Sequence, residues 1–338
     1  MTERALTPER PMPSAPLNPA VPTAAFDWKA ALRRPEALSL LAIAALLALG
    51  EALSPGFAGP AQIVNILGVA AFLGLVAAGQ TLVILAGKEG IDLSIGSMVS
   101  LGALVAGNAM QGGDAGLLPG LILALAVGGL NGCGITLLRI PPLVMTLGMA
   151  GVLQGLLVLL TRGKPSGSAA PLLAELVAGG WAFGLPGILV LWLLFALGLA
   201  WLLRGTRLGL RIYAIGSNER AAGLVGVPVR WTRIAVYGLS GLIGGLTGFL
   251  MLGYTGSVYV GVGDQYVLPS IIAVVIGGTA LGGGAGGYLG TALGAIVLVL
   301  LQSILTTLSI EPFGRQMIFG LILLGLLAVY GRQKRLRA

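Results

Sequence analysis

Apolar runs long enough to cross a lipid bilayer dominate this sequence between residues 36 and 331. A helix needs about 20 apolar residues to cross the hydrocarbon core. Only 9% of the residues are charged, whereas a soluble domain has about 25%. The sequence therefore predicts an all-α, polytopic membrane protein. The candidate segments number about ten and lie at 36–53, 63–86, 94–110, 117–138, 143–160, 184–203, 231–252, 267–280, 287–308 and 313–330.

Two of these segments, 94–110 and 267–280, are less certain to cross fully. The second reads VLPSIIAVVIGGTA, which is short and ends in small residues. A half-crossing or re-entrant element is tolerated in a bilayer only where protein buries its free backbone groups. We therefore expect about ten transmembrane helices, of which one or two are short or re-entrant.

The basic residues indicate the orientation of the chain, whose formal net charge is +8. If the N-terminus is cytoplasmic and the spans alternate, only three of the 20 Lys and Arg residues fall outside, namely Arg162, Lys164 and Arg315. Membrane proteins retain such an excess of basic residues in their cytoplasmic loops. The sequence therefore predicts that both termini are cytoplasmic.

The chain divides into a transmembrane domain and two tails. Residues 1–35 are rich in Pro, Ala and Thr and lack the apolar core of a signal peptide, so we expect a disordered cytoplasmic tail. We expect residues 36–331 to form the transmembrane domain and residues 332–338 to form a basic cytoplasmic tail. The longest cytoplasmic connection within the domain is 204–230.

Several classes of chemistry lack their residues here. The chain has no histidine and a single cysteine, Cys133, which excludes an intramolecular disulfide, histidine-containing metal sites and the Ser-His-Asp triad. The nearest string to a phosphate-binding loop, TRGKPSG, has Pro where the loop needs a hydroxyl. We therefore expect no catalytic residue, no metal site and no cofactor on this chain. A membrane-embedded enzyme stays open as an alternative, but it would have to work with a few scattered carboxylates.

A charged turn, GKEGIDLSIGS, contains Lys88, Glu89 and Asp92. It could be a coupling-ion site, or a local ion pair with Asp92 accepting N–H bonds at the start of the next helix. We favour the second interpretation. Ion-driven carriers bury more charge in their spans than this chain does.

Neutral polar residues recur inside the predicted spans. They could line a hydrated path for a neutral polyhydroxy solute, or form interhelical hydrogen bonds of about 1 kcal/mol each. The candidates for a substrate path are Gln80, Asn108, Asn131, Thr146, Gln154 and Gln302.

Glycine is abundant, with 56 residues, and most of these positions are expected to allow close helix packing. Segments 82–107 and 273–298 are weakly similar to each other: both pass from an apolar helix through a glycine-rich turn into a small-residue helix. Such internal repeats are common in transporters.

The stretch GSNERAAGLVG, residues 216–226, interrupts the apolar pattern with a short polar segment. Ser217 or Asn218 can cap a helix, Glu219 suits the positive end of its dipole, and Gly226 can end it. We predict a short cytoplasmic helix with little side-chain bulk. It either docks in a groove on another protein or rests on lipid headgroups.

Four stretches resemble the ribose-type sugar permeases of ATP-binding-cassette (ABC) importers, in the branched-chain amino acid/ribose permease superfamily. They are GKEGIDLSIGSMVSLGALVAG (87–107), NGCGITLLRIPPLVMTLGMAGVLQGL (131–156), YAIGSNERAAGLVGV (213–227) and VLPSIIAVVIGGTALGGGAGGYLGTALGAIVL (267–298). The order and spacing also match, and the resemblance runs from about residue 60 to 331. The usual family turn reads Gly-Gly-Ile-Asp-Leu-Ser, whereas Lys88 and Glu89 precede Gly90 here.

This resemblance implies a permease subunit for a monosaccharide such as ribose, xylose or galactose, in a bacterial inner membrane. It implies three partners: an ATPase with two nucleotide sites that binds ATP and magnesium, a second permease subunit, and a sugar-binding protein outside. It places the ATPase-coupling residues at Ser217, Asn218, Glu219, Arg220, Ala221, Ala222, Gly223 and Gly226. The alternatives are a superfamily permease for branched-chain amino acids or nucleosides, and an ion-coupled secondary carrier.

Overall fold

A computed structural model describes residues 35–87, 90–110, 117–164, 167–181, 184–257 and 259–335. These residues form thirteen α-helices, and the described ranges contain no strand, only two isolated bridges. The helices are α1 (Pro35–Leu53), α2 (Pro60–Leu85), α3 (Ile95–Met110), α4 (Leu117–Thr136), α5 (Pro142–Thr161), α6 (Pro171–Ala178), α7 (Gly187–Gly205), α8 (Arg207–Ser217), α9 (Glu219–Leu224), α10 (Val229–Thr255), α11 (Asp264–Ile276), α12 (Tyr288–Thr307) and α13 (Pro312–Arg335).

The all-α prediction is confirmed, and each of the ten apolar segments coincides with a helix. In the described part of the chain, seven helices are long and apolar enough to span a membrane, namely α1, α2, α4, α5, α7, α10 and α12. Three shorter apolar stretches lie in α3, α11 and α13. The chain is therefore a multi-pass membrane protein.

Helix α11 is the short element that the sequence predicted near 267–280. Its 13 residues give a length of about 20 Å, less than the roughly 30 Å of a bilayer core. It packs against α12, α2 and α3, and the residues from Ser270 to Val275 are buried. Protein therefore surrounds the end of this helix, as a short element in a bilayer requires.

Helices α10 and α2 form the centre of the bundle. In the most apolar 18 residues of each helix, 72% of α10 and 61% of α2 are buried, whereas 11% of α1 and 22% of α5 are buried. Helix α10 packs on α4, α3 and α2. At its crossing with α4, a Cβ atom on Gly241 would overlap the carbonyl oxygen of Ala124, so glycine permits the close approach of these helices.

The sequence predicted a cytoplasmic loop at 204–230, and the structure contains more helix there. Helix α7 continues to Gly205, and two further helices, α8 and α9, follow. Ile212 and Ile215 of α8 are buried while Arg207 and Arg211 are exposed. The sequence prediction missed this amphipathic pattern because it weighed only apolar length. At the other end, α13 extends to Arg335, so the helix continues into the basic segment 332–338. The predicted tail of residues 1–35 lies outside the described residues except for Pro35.

Candidate coupling site and polar network

Helix α9 begins at a side-chain cap. The Oδ1 atom of Asn218 accepts a hydrogen bond from the Ala221 N–H at 3.0 Å. Of the two capping residues that the sequence allowed, Asn218 therefore takes this role, while Ser217 is the last residue of α8. Glu219 is the first residue of α9, where the positive end of the helix dipole stabilises its negative charge.

Helix α9 ends in a glycine cap. Gly226 has a φ of +84°, a conformation that glycine adopts without strain. The Val227 N–H donates to the Ala222 carbonyl at 3.0 Å, and the Gly226 N–H donates to the Gly223 carbonyl at 3.1 Å. This pair of bonds is a Schellman motif, so the prediction that Gly226 ends the helix is confirmed. Both ends of this six-residue helix are therefore fixed by hydrogen bonds.

Two apolar side chains are exposed at the end of α9, on its last residue and on the residue that follows it. Ala222 is only 4% exposed and faces the protein, whereas Leu224 is 89% exposed and Val225 is 81% exposed. Sequence reasoning predicted a surface with little side-chain bulk and missed this pair. The available signal was two large apolar residues placed directly before the capping glycine. Exposed neighbouring apolar side chains are typical of a surface that contacts another molecule.

An ion pair joins α9 to the most buried helix. Arg233 of α10 contacts Glu219 through Nη2 and Oε2 at 3.2 Å and through Nη1 and Oε1 at 3.4 Å. Arg233 is only 7% exposed. A two-point contact between planar groups fixes orientation as well as distance. Glu219 is one of the predicted coupling residues, whereas Arg233 is not, because the pairing of Arg233 depends on how α10 packs under α9.

Three glycine-containing segments meet below the end of α8, and we call this contact the glycine junction (Gly87, Gly216, Gly283 and Gly284). The Gly284 N–H donates to the Leu85 carbonyl at 3.0 Å. A Cβ atom on Gly216 would overlap that same carbonyl and the Gly284 nitrogen. The two turns of the weak internal repeat therefore lie side by side, in contact with α8.

A tyrosine of α8 also holds this region. The Tyr213 hydroxyl donates to the Gly286 carbonyl at 2.8 Å. Burial raises the pKa of Tyr213, and the nearby charge of Arg204 lowers it to a smaller extent. The phenol therefore stays protonated and keeps its donor role at neutral pH.

Asp92 lies at the centre of a buried polar network on the turn before α3. Its Oδ1 accepts from the Ser94 N–H at 3.0 Å and from the Ser94 hydroxyl at 2.6 Å, and its Oδ2 accepts from the Ser240 hydroxyl at 2.8 Å. The expected N–H bond from a residue just after Asp92 is confirmed. The predicted ion pair of Lys88 and Glu89 lies outside the described residues.

Three of the predicted path residues belong to this same network. Gln80 donates to the Asp92 carbonyl at 2.6 Å and accepts from the Asp92 N–H at 3.1 Å. Asn131 donates to the Ser94 hydroxyl at 2.8 Å, and Thr146 accepts from the Leu93 N–H at 3.1 Å. Gln80, Asn131 and Thr146 are fully buried, and their hydrogen bonds join α2, α4 and α5 to the turn before α3.

Comparison with known proteins identifies the family. A family model described as the permease component of a branched-chain amino acid transport system matches residues 62–327. The chain belongs to this permease family. The permease is 35% identical to the ribose import permease protein RbsC of Bacillus subtilis over 283 residues, covering 80% of this chain and 85% of the relative. It is 34% identical to the autoinducer 2 import system permease protein LsrC of Yersinia pseudotuberculosis over 308 residues, covering 88% and 85%. No solved structure matches the permease.

These matches confirm the resemblance to sugar permeases of ABC importers. The permease is thus a transport component. The matched range begins at residue 62, within α2, and ends at residue 327, within α13. The match therefore includes the Asp92 network, α8, α9 and the glycine junction.

The remaining predicted path residues of the permease lie apart from the Asp92 network. Asn108 donates to the Leu104 carbonyl at 3.0 Å and lines a cavity of about 550 Å³ with the end of α5. Gln154 is exposed and donates to Asp264 at 3.3 Å. Gln302 is half-buried on α12. The structure therefore does not bring all six predicted residues together. Within the described ranges, no group of three His, Cys, Asp or Glu side chains could hold a metal ion.

Proposed function

We propose that this permease forms the transmembrane pathway of an ABC importer for a monosaccharide of the ribose, xylose or galactose type. A binding protein delivers the sugar, and a separate ATPase supplies the energy. Two relatives named as ribose and autoinducer 2 import permeases support this assignment. The observation that carries the coupling role is α9: a short helix, fixed at both ends, that exposes Leu224 and Val225.

In this proposal the ATPase docks on the exposed side of α9. Closure of the ATPase on ATP moves α9, and the Glu219–Arg233 ion pair conveys that displacement to α10. Because α10 packs on α2, α3 and α4, it reaches the centre of the bundle. A second route runs from α8 through the glycine junction to the turn after α2 and the turn after α11. Small shifts at such contacts can switch a packed bundle between two states.

The proposed orientation places α8 and α9 in the cytoplasm together with both termini, with ten spans when α3, α11 and α13 are included. The charges support it, since Arg139, Arg230 and Arg233 surround one cavity beside α9, whereas Arg162 and Lys164 line the cavity at the far ends of α3 and α5. The family and this bias favour a bacterial inner membrane.

The proposed partners are an ABC ATPase with two nucleotide sites, a second permease subunit and an external sugar-binding protein. ATP and magnesium bind the ATPase, and this chain carries no cofactor of its own. The mostly exposed α5 offers a surface for the second subunit. We propose that Asn108 and Gln154 face the substrate path, because neutral amides hydrogen-bond sugar hydroxyls without a counter-charge.

The two alternatives are less well supported. A permease for branched-chain amino acids or nucleosides shares the family model, but both relatives described above are named for ribose or autoinducer 2 import. An ion-coupled carrier needs a carboxylate that exchanges its ion. Asp92 instead accepts three hydrogen bonds from serine groups.

The test is ATP hydrolysis by the permease purified alone and with a candidate ATPase. We expect no activity alone and activity in the complex. The double variant Leu224→Asp with Val225→Asp is expected to abolish complex formation. Leu308→Asp is the control, because Leu308 is 51% exposed and lies at the end of α12 opposite the glycine junction. Equal activity in the double variant and the control would refute the docking role.

The transported solute is tested in vesicles that hold the whole complex and the binding protein. Uptake of labelled ribose, with competition by xylose, galactose and leucine, separates the sugar proposal from the amino-acid alternative. Competition by leucine alone would refute the sugar assignment. Uphill uptake by vesicles that contain only this chain and an ion gradient would refute the ATPase-driven mechanism.

A further inference from the structure

A cavity of about 630 Å³ lies beside α9, between the turn after α4 and the start of α10. Its charged lining consists of Arg139, Arg230, Arg233 and Glu219. Arg233 and Glu219 form the ion pair described above, so their charges cancel. Within the described part of the chain, neither Arg139 nor Arg230 makes a side-chain hydrogen bond or ion pair. Among the described residues, the cavity therefore holds two arginines whose charges have no side-chain partner.

The backbone at Arg139 is held in an uncommon conformation. Its φ is +58°, a left-handed geometry that is unfavourable for a residue with a side chain. The turn is closed by a bond from the Ile140 N–H to the Gly134 carbonyl at 3.2 Å, and Pro141 and Pro142 restrict the chain that follows. Such outliers persist where the surroundings enforce them, and they concentrate at functional sites. The turn thus fixes the backbone position from which the Arg139 side chain extends.

Apolar side chains surround these two arginines. Leu137 and Leu138, next to Arg139, are 58% and 73% exposed, and Trp231, next to Arg230, is 73% exposed. The two leucines directly follow the membrane-spanning helix α4. Exposed tryptophan is typical of the boundary between hydrocarbon and water. Such surroundings are typical of the level where lipid headgroups meet acyl chains.

We propose that this cavity binds the phosphate group of an anionic phospholipid, whose acyl chains lie along Leu137 and Leu138. Guanidinium groups match phosphate oxygens in charge and in hydrogen-bond geometry. Basic pockets between transmembrane helices on the cytoplasmic side suit such headgroups. An acidic segment of a partner protein would use the arginines but not the lipid-facing leucines, so the apolar surroundings favour a lipid. The bound headgroup would lie next to the Glu219–Arg233 pair.

The test uses fluorescence of Trp231 in the full-length chain, reconstituted in phosphatidylcholine vesicles. A minor fraction of the lipid carries brominated acyl chains, attached either to phosphatidylglycerol or to phosphatidylcholine. The Trp231 signal is the difference between the unaltered protein and Trp231→Phe. We expect brominated phosphatidylglycerol to quench the Trp231 fluorescence at a roughly 30-fold lower lipid fraction than brominated phosphatidylcholine does. Each of the two basic residues near the membrane contributes about a five-fold preference for the anionic lipid. Equal quenching by the two lipids would overturn the proposal.

Two paired variants distinguish the cavity from general surface charge. Arg139→Gln with Arg230→Gln is expected to remove the preference. Arg207→Gln with Arg211→Gln changes the charge by the same amount at exposed positions of α8 outside the cavity, and is expected to keep it. Equal loss in both pairs would overturn the proposal. If the first pair does not fold, Arg230→Gln alone is expected to lower the preference about five-fold, and no change would overturn it.

Inorganic phosphate provides the final arm. Added at a concentration that matches the ionic strength of a chloride control, it is expected to leave the quenching by brominated phosphatidylglycerol unchanged relative to that control. Displacement by phosphate but not by chloride would assign the cavity to a free anion and overturn the lipid proposal. Unchanged quenching, together with the expected behaviour of the variants, supports it.

Discussion

Replacement of Gly216 by alanine tests the glycine junction directly. The new Cβ atom would overlap the Leu85 carbonyl oxygen and the Gly284 nitrogen. Both are backbone atoms, so no flexible side chain can move aside. The two segments must separate, which lengthens the 3.0 Å hydrogen bond from the Gly284 N–H to the Leu85 carbonyl.

The magnitude follows from three contributions. Insertion of a methyl group into a packed contact costs about 1–3 kcal/mol, and loss of a buried backbone hydrogen bond costs about 1–3 kcal/mol. The higher helix propensity of alanine in α8 offsets up to about 1 kcal/mol. We therefore expect Gly216→Ala to lower the free energy of unfolding by about 1–5 kcal/mol.

The assay is the apparent thermal midpoint of the purified permease in detergent, scanned at one rate because such unfolding is often irreversible. A loss of this size lowers the midpoint by about 2–4 °C per kcal/mol in large domains. Gly223→Ala is the matched control, because Gly223 is exposed on α9 with open space around it. We expect that control to keep or raise the midpoint. A midpoint for Gly216→Ala equal to that of the unaltered protein would refute the close-packed junction.

Three further predictions concern the polar network and α9. Asp92→Ala removes the acceptor of the buried Ser240 hydroxyl and of two groups of the adjacent turn. We therefore expect it to lower the free energy of unfolding by about 2–5 kcal/mol, whereas Ser240→Ala lowers it by about 1 kcal/mol. The reverse order would contradict the central position of Asp92. In a double-mutant cycle with Arg233→Met and Glu219→Gln, we expect a coupling energy of about 1–3 kcal/mol, because Arg233 is almost fully buried; strictly additive midpoints would show that the ion pair contributes nothing. Leu224→Asp is expected to change the free energy of unfolding of the lone chain by less than about 0.5 kcal/mol, since the side chain is 89% exposed. ATP hydrolysis by the complex with the ATPase is expected to fall. A marked destabilisation of the lone chain would show that Leu224 is instead a packing residue.

Some features could be predicted because they depend on neighbouring residues. Apolar length located every long helix, since the thickness of a bilayer sets that length. The capping residue Asn218 and the terminating Gly226 were also predictable, because a cap forms within three or four residues of the chain. The amphipathic helix α8 was missed although its buried and exposed positions alternate with helical spacing.

Other features were decided by the tertiary structure. Ser240 bonds to Asp92 across 148 positions of the sequence, and Arg233 pairs with Glu219 across 14. Gln80, Asn131 and Thr146 look alike in sequence to Asn108 and Gln154, yet only the first three are buried around the turn of Asp92.

The sequence by itself thus determined which segments are apolar helices long enough for a membrane, and where α9 begins and ends. Only the packing of the helices against one another decided which polar groups pair and which side chains at the end of α9 stay exposed. The physical reason is range. Helix length and capping arise from local backbone hydrogen bonds, whereas burial and ion pairing depend on which helix faces meet.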